Sequence, residues 1–262
     1  MRTEVVSEPG APDRPNEDFA GVGLPASGQG GCVIVLDGVT PPEDGTGCLH
    51  SVPWFTARLG GALAELTLSA RDLTLPEILA RAIRRTADAH SGTCDLSHPR
   101  TSQATVVLTR WSDDTVEYLV LSDSALLLQS PGGTVTAILD DRLDRVPRDR
   151  LASDAIADAT VRNKEGGFFT AAADPSVAAR AVTGSVPRHR VRALAALTDG
   201  ATRWTEKFRE GDWTALFDVV RKEGARALVD RVRELEEADR EERAFLRRSK
   251  THDDATVVYA EL

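Results

Sequence analysis

The stretch Cys32-Val-Ile-Val-Leu-Asp-Gly38 carries the strongest structural signal in the chain. Its five consecutive apolar residues are typical of a short buried strand, and they are too few to cross a bilayer, which takes about 20. The Asp-Gly pair that follows indicates a sharp turn. We therefore predict a buried strand over 32–36 whose end presents the carboxylate of Asp37.

The same pattern, an apolar run that ends in an aspartate followed by a small residue, recurs twice downstream. Tyr-Leu-Val-Leu-Ser leads into Asp123-Ser124, and Leu-Ala-Ala-Leu-Thr leads into Asp199-Gly200. Two more acidic motifs are Asn16-Glu17-Asp18 and Asp253-Asp254, which comes immediately before the last predicted strand. A single Asp-Gly is usually no more than a turn. Several strand ends at one sheet edge, however, can bring carboxylates within a few Å of each other.

Clustered carboxylates predict a bound cation. They repel one another and raise each other's pKa unless a positive ion lies between them. Hard oxygen donors with few histidines suit Mg²⁺ or Mn²⁺ better than Zn²⁺. Two such ions about 3.5–4 Å apart would activate a water and hold a phosphoryl oxygen. The acidic motifs therefore favour metal-dependent hydrolysis.

The remaining periodicity predicts an α+β protein. Helical spacing over 53–69 and 75–90 predicts two consecutive amphipathic helices, and 225–248 predicts a long polar helix. Closely spaced apolar runs with short turns predict an antiparallel sheet. Residues 21–31 are predicted to form a loop or turn, and 149–187 carry no clear pattern. The further predicted strands are 104–110, 116–121, 125–129, 135–139, 192–198 and 255–260.

Length and charge exclude several classes of protein. A chain of 262 residues without an obvious linker predicts a single domain over 1–262. Acidic residues outnumber basic ones, 41 against 32, so the net charge is -9. Without a basic block, such a chain is a poor candidate for binding nucleic acid or an anionic membrane surface.

The N-terminus and the cysteines predict a cytoplasmic protein with reduced thiols. The first residues have no apolar signal core and carry acids early. The three cysteines, Cys32, Cys48 and Cys94, are odd in number and lack Cys-X-X-Cys spacing. Neither a zinc site nor a disulfide framework is therefore expected.

Six short motifs, in this order along the chain, resemble those of the metal-dependent protein phosphatases of type 2C, the PPM family, in its bacterial form. Each motif alone is weak, but their order and compatible spacing are specific, and the match runs from Asn16 to the C-terminus. The motifs are Asn16-Glu-Asp18, Val35-Leu-Asp-Gly38, Ser102-Gln-Ala-Thr-Val-Val107, Leu121-Ser-Asp-Ser124, Leu197-Thr-Asp-Gly200 and Asp253-Asp-Ala-Thr-Val257.

The resemblance implies a four-layer α-β-β-α sandwich, in which two antiparallel β-sheets are flanked on both sides by helices. It also implies two Mg²⁺ or Mn²⁺ ions and hydrolysis of phosphoserine or phosphothreonine by a metal-activated water, without a covalent phosphoenzyme. The resemblance implies that Asp37 bridges both ions and that the carbonyl of Gly38 contacts one of them. It implies Asp199 and Asp253 as ligands of the other ion, and Glu17 and Asp18 as direct or water-mediated ligands. Asp123 would form a third ion site with Asp199.

The chain departs from the family pattern in four places. The family's phosphate-binding arginine lies four residues before the motif glutamate, where this chain has Asp13. Arg14, three residues before Glu17, either reaches the phosphate or is a surface arginine. Val39 replaces the histidine that follows Asp-Gly in many eukaryotic members. The third and fourth departures are Ser122-Asp-Ser-Ala125 in place of Gly-Asp-Ser-Arg and Asp254 in place of an asparagine.

Three functions remain open from the sequence. The first is a phosphatase for phosphoproteins that a serine/threonine kinase has modified. The second is a phosphatase-like domain with weak or no activity that binds a partner. The third is a phosphatase for small molecules on the same scaffold. The stretch Asn163–Phe169, with two glycines before two aromatic residues, forms either a flap beside the site or a plain turn.

Overall fold

The computed structural model describes residues 2–40, 45–242 and 251–262. In these ranges the strands are β1 (Thr3–Glu8), β2 (Phe19–Gly23), β3 (Gly31–Leu36), β4 (Val106–Trp111), β5 (Thr115–Leu121), β6 (Ala125–Gln129), β7 (Val135–Ile138), β8 (Val182–Pro187), β9 (Ala193–Leu197) and β10 (Ala255–Glu261). The α-helices are α1 (Val52–Ser69), α2 (Leu75–Asp88), α3 (Asp154–Thr160), α4 (Asp199–Glu206), α5 (Trp213–Glu223) and α6 (Ala225–Glu242). Short 3-10 helices cover Arg148–Leu151, Pro175–Arg180 and Arg188–Arg190.

The strands form two five-stranded sheets. The first sheet has the order β1-β10-β9-β6-β7, and the second has the order β2-β3-β4-β5-β8. Every neighbouring pair is antiparallel. β3 and β4 are central in the second sheet, and β9 and β10 are inner strands of the first. The strands that carry the acidic motifs are therefore supported by partners on both sides.

The space between the sheets is filled by one face of each. Val33, Val35 and Val107 of the second sheet pack in one cluster with Leu126 and Val258 of the first. Side chains alternate across a strand, so the intervening residues of β3 point away from this layer. This arrangement explains why the stretch over 32–36 is apolar without interruption, since both of its faces are covered.

Helices cover the outer face of each sheet. Ile34 and Leu36 pack with α1 and α2 through Leu59 and Ile78. On the other side, α4, α5 and α6 pack on the first sheet in a cluster that includes Tyr259, Phe217 and Leu228. The predicted four-layer α-β-β-α sandwich is therefore confirmed.

The sequence predicted the interior elements better than the edges. The helices α1 and α2 and the strand β6 lie where expected, and the predicted helix over 225–248 is confirmed to Glu242, beyond which 243–248 lie outside the described residues. The loop predicted over 21–31 was wrong in part, because β2 extends to Gly23. The strands β1, β2 and β8 and the helices α3, α4 and α5 were not predicted.

No helix in residues 2–40, 45–242 and 251–262 combines the length and hydropathy needed to cross a membrane.

Two adjacent glycines in α1 have opposite environments. Ser51 caps the helix by accepting a hydrogen bond from the backbone N–H of Trp54. A Cβ atom at Gly60 would overlap the ring of Phe19, which packs against the helix at this point. A Cβ atom at Gly61 would meet no other atom within 4 Å, and this position is exposed. Gly60 is thus required for the contact between α1 and β2, whereas Gly61 is not.

We predict that Gly61→Ala raises the free energy of unfolding by about 0.5–1 kcal/mol, because alanine loses less conformational entropy in a helix. Gly60→Ala makes the same change one residue earlier but should lower it, since overpacking costs about 1–3 kcal/mol. Urea denaturation of the two variants measures the difference. A shift of both midpoints in the same direction would contradict the packing role of Gly60.

Candidate metal centre

Four of the five acidic motifs meet in one cavity between the ends of the two sheets. Its volume is about 350 Å³. Asp37 follows β3, Asp123 lies in the turn between β5 and β6, Asp199 begins α4 after β9, and Asp253 precedes β10. All four side chains line the cavity. The structure thus brings together carboxylates that are separated by up to 216 residues in the chain (Asp37 to Asp253).

The glycine of each Asp-Gly motif permits a close approach of two acidic motifs. A Cβ atom at Gly38 would overlap the carbonyl oxygen of Glu17, and one at Gly200 would overlap the carbonyl oxygen of Asp254. Glycine is the residue that allows backbone to approach backbone this closely. The Asp-Gly pairs are therefore more than turns, because they bring Asp37 beside the N-terminal acidic motif and Asp199 beside the C-terminal one.

The carboxylates strongly perturb each other. Withdrawal from water and the charges of Asp199, Asp18 and Asp123 raise the pKa of Asp37 well above its ordinary value. Withdrawal from water and the charges of Asp253 and Asp123 likewise raise the pKa of Asp199 to about 8, although Arg203 opposes the shift. Such mutual repulsion is what a multivalent cation relieves.

Asp18 offers an oxygen atom without a protein partner. Its Oδ2 accepts a hydrogen bond from the hydroxyl of Thr198 at 2.9 Å, whereas its Oδ1 is buried and has no hydrogen-bond partner. Burial, with the charges of Asp254 and Asp253, raises the pKa of Asp18 to about 7. A buried carboxylate oxygen without a hydrogen bond is costly. The all-oxygen donor set and this atom fit Mg²⁺ or Mn²⁺.

Glu17 and Arg14 face a second, adjoining cavity of about 480 Å³. Glu17 accepts a hydrogen bond from the hydroxyl of Thr40. Arg14 is exposed and lines this cavity together with Glu17, Asp253 and His252. Arg14 thus lies in the adjoining cavity, next to Glu17 and Asp253, and does not line the cavity of the four aspartates.

Two positioning residues were missed by the sequence analysis. Asp254 accepts hydrogen bonds from the backbone N–H groups of Gly10 and Glu17, both at 2.7 Å. It therefore anchors the N-terminal acidic motif.

Arg203 donates to Asp253 at 2.9 Å and pairs with the buried Glu236. No local spacing indicated either contact, because each joins residues far apart in the chain.

The surroundings of Asp123 are acidic. A third cavity of about 490 Å³ is lined by Asp123, Asp144, Asp199 and Glu206. Burial, with the charges of Asp144 and Asp123, raises the pKa of Glu206. Ser122 has a φ of 69°, a left-handed conformation that favours glycine, which explains why the family pattern has glycine there. Its backbone N–H donates to Asp140 at 2.8 Å.

The stretch Asn163–Phe169 lies beside the centre. Phe168 lines the same cavity as the aspartates and packs with Val161 and Ala157 in a small apolar cluster. Arg162, also at the cavity wall, pairs with Asp158. One residue of this stretch therefore contacts the cavity, and its role as a flap stays a prediction.

Comparisons with known proteins show relatives in structure only. No family model matches the chain, and no curated protein matches its sequence. Serine/threonine phosphatase Stp1 from Staphylococcus aureus is similar over 100% of this chain and 95% of its own, with 10% identity and a TM-score of 0.61. PppA, a key regulatory component of T6SS in Pseudomonas aeruginosa, is similar over 98% and 96%, with 17% identity and a TM-score of 0.57. The chain has the fold of the bacterial PP2C-type serine/threonine phosphatases.

A third structure of this fold contains metal. The catalytic domain of the phosphatase PstP, solved with two manganese ions, is similar over 99% of this chain and 97% of its own, with 16% identity and a TM-score of 0.59. The PP2C-type fold therefore accommodates two divalent ions in that protein. In the present chain, the charges of Asp18, Asp123, Asp199 and Asp253 all raise the pKa of Asp37.

The raised pKa values predict how stability depends on pH. For a carboxyl group whose pKa is higher in the folded state, stability is fully present below the unfolded pKa and is lost as the pH rises through the folded pKa. For Asp199 this window runs from its ordinary value of 3.8 to about 8. With a chelator present, we expect the melting temperature to fall across this window.

Addition of Mn²⁺ should reverse this dependence, because the ion binds the ionised carboxylates and competes with protons. Thermal melts of the same protein with chelator and with Mn²⁺, at about pH 5 and about pH 8, measure both effects. Asp199→Asn is the matched control and should weaken both. Melting temperatures at pH 8 that Mn²⁺ leaves unchanged would argue against a metal centre.

Proposed function

We propose that this protein is a Mg²⁺- or Mn²⁺-dependent phosphatase that hydrolyses phosphoserine and phosphothreonine in proteins. The observation that supports it most is the convergence of aspartates from four separate motifs on one cavity, where burial and the neighbouring carboxylates raise the pKa of Asp37 and of Asp199. The PP2C-type fold is consistent with this activity. Phosphoproteins modified by a serine/threonine kinase are the proposed substrates.

The proposed ligand set is the one that the family resemblance implies, and its members Asp37, Gly38, Asp199 and Asp253 all line the cavity. Asp37 would bridge two ions, the carbonyl of Gly38 would contact one of them, and Asp199 and Asp253 would hold the other. When bound, the ions would lower the pKa of a water to generate the nucleophile and would neutralise charge on the phosphoryl oxygens.

The outer ligands complete the proposed centre. Asp18 would contribute its unpartnered Oδ1, directly or through a water, and Glu17 would act in the same way from the adjoining cavity. Asp123 with Asp199 would form a weaker third site on the acidic side of the cavity. Arg203 would keep the carboxylate of Asp253 in place through the hydrogen bond described above.

Arg14 is the proposed phosphate ligand. It lies in the adjoining cavity with Glu17 and Asp253, and a guanidinium can donate two parallel hydrogen bonds to a phosphate dianion. Pro15 restricts the backbone of Arg14 to extended conformations. The reach of the side chain therefore depends on the position of the acidic motif that follows.

The activity test uses hydrolysis of p-nitrophenyl phosphate and of a phosphothreonine peptide, with Mn²⁺ titrated against a chelator. We expect activity only with metal. Asp37→Asn should lower kcat by more than about 100-fold, since loss of an outer partner of a metal site already costs roughly 10–100-fold. Asp113→Asn, which makes the same change at an exposed turn, is the matched control.

The outcome separates the three functions left open by the sequence. Hydrolysis of the phosphopeptide at a much higher kcat/KM than small phosphates supports a protein phosphatase. The reverse preference supports a phosphatase for small molecules. No metal-dependent hydrolysis of either substrate would leave a phosphatase-like binding domain and would refute the proposed activity.

For Arg14→Ala, we predict that KM for the phosphopeptide rises by about 10–100-fold, because hydrogen bonds to charged groups contribute about 1.5–3 kcal/mol, with little change in the Mn²⁺ requirement. Arg14→Lys should recover part of the loss, since it keeps the charge but lacks the fork. Combining Arg14→Ala with Asp13→Arg places an arginine four residues before Glu17 and should restore KM. A wild-type KM for Arg14→Ala would show that other groups bind the phosphate.

A further inference from the structure

Two cysteines and two histidines lie close together where the N-terminus of α1 meets the C-terminus of α2. Cys48 and His50 lie in the segment just before α1, and His90 and Cys94 lie in the turns just after α2. One ligand atom from each residue lies within 4.8 Å of all the others. Both cysteines are free thiols. In the part of the chain that the structure describes, this is the one such group of cysteine and histidine side chains.

The distances within this group are close to those of a tetrahedral metal site, with the two sulfur atoms nearer to each other than in a metal-bound site. Zn–S bonds of about 2.3 Å and Zn–N bonds of about 2.0–2.1 Å separate tetrahedral ligand atoms by roughly 3.3–3.8 Å. The Sγ of Cys48 lies 3.5 Å from Nδ1 of His90 and 3.9 Å from Nδ1 of His50. The Sγ of Cys94 lies 3.3 Å from Nδ1 of His50, and the two sulfur atoms are closer, at 3.1 Å.

Neighbouring groups hold Cys94 and His50 in these positions. The backbone N–H of Leu49 donates to the Sγ of Cys94 at 3.3 Å. The ring of His50 stacks on Trp54 with the centroids 4.0 Å apart. Hydrogen bonds to ligand atoms and fixed ring orientations are what the surroundings of a metal site supply. The thiol of Cys94 and the ring of His50 are therefore held in place by groups outside the cluster.

The backbone joins the two segments that carry these residues. The N–H of Asp95 donates to the carbonyl of Gly47 at 2.7 Å. Gly47 has a φ of 69°, and a Cβ atom there would be 2.8 Å from the side chain of His98. The close approach of the two segments thus depends on glycine next to Cys48.

We propose that Cys48, His50, His90 and Cys94 bind one structural Zn²⁺ ion. Four protein ligands of the type Cys₂His₂ leave no open position, as in structural zinc sites. The cysteines would bind as thiolates, so binding releases the thiol protons. The soft sulfur and nitrogen donors also separate this site from the carboxylate cavity, which offers only oxygen and prefers harder ions.

Zinc at this position would connect two segments that lead to the carboxylate cavity. The first segment follows Asp37 and Gly38 in the chain. The second continues from Cys94 to Thr105, whose backbone N–H donates to the carbonyl of Asp37 at 2.9 Å and whose hydroxyl accepts from the N–H of Asp37 at 3.2 Å. The ion would therefore stabilise the rim of the cavity without contacting its carboxylates.

Zinc was not expected from the sequence because the cysteines have no Cys-X-X-Cys spacing. The relevant pattern is Cys48-X-His50 followed by His90-X-X-X-Cys94. Each cysteine pairs with a histidine rather than with the other cysteine. Only the packing of α1 against α2 brings the two pairs together, since they are separated by 39 residues (51 to 89).

The test measures the metal content of the full-length protein after dialysis against a moderate chelator. We expect wild type to retain about one zinc per chain. Cys48→Ser, Cys94→Ser and His50→Ala should each retain less than about one tenth of that amount, because each removes one of the four ligands. Asp37→Asn should keep its zinc, which separates this site from the carboxylate centre. Cys32→Ala and His189→Ala, which lie outside the group, are matched controls.

A second measurement requires no loss-of-ligand variant. Wild type refolded with Co²⁺ in place of Zn²⁺ should show a thiolate-to-cobalt charge-transfer absorption, and Asp37→Asn should show it equally. Wild type that holds no zinc and gives no such absorption would overturn the proposal, even if the cysteine variants fail to fold. A mass lower by two hydrogens and a single reactive thiol would also overturn it, in favour of a bond between Cys48 and Cys94.

Discussion

Repulsion among the carboxylates of one cavity is the constraint on which the structure depends. Burial raises the pKa of Asp18, Asp37 and Asp199, and the charges of neighbouring carboxylates raise it further. A flexible chain would relieve this repulsion by moving the groups apart. The fold prevents this for Asp37 and Asp199, because they follow the inner strands β3 and β9, each of which has a neighbouring strand on both sides. The two sheets therefore hold the repelling carboxylates together at one place, which favours the binding of cations there.

Close backbone contacts set the positions of these carboxylates. The glycines after Asp37 and Asp199 lie against the backbones of Glu17 and Asp254. Asp254 in turn binds the N–H groups of Gly10 and Glu17. Asp254, which directly precedes β10, thus holds the N-terminal segment beside the cavity.

The chain offers two chemically different settings for metal ions. The cavity between the sheets presents carboxylate oxygens, which suit hard and readily exchanged ions that can act on a substrate. The group at the ends of α1 and α2 presents two sulfur and two nitrogen atoms, which suit a tightly held structural ion. Because donor softness differs so strongly, each setting can select its own ion within one protein.

The sequence alone determined the layered α+β fold, the inner strands and the identity of the acidic motifs. It could do so because buried strands are apolar on both faces and helices carry a local period, as in β3 and α1. Edge strands such as β1 and β8 expose one face and lack that signal. The contacts of Asp254 and Arg203, and the meeting of Cys48 with Cys94, arose only in the tertiary structure. The physical reason is that each depends on backbone approach or helix packing between distant segments, which no local pattern of residues records.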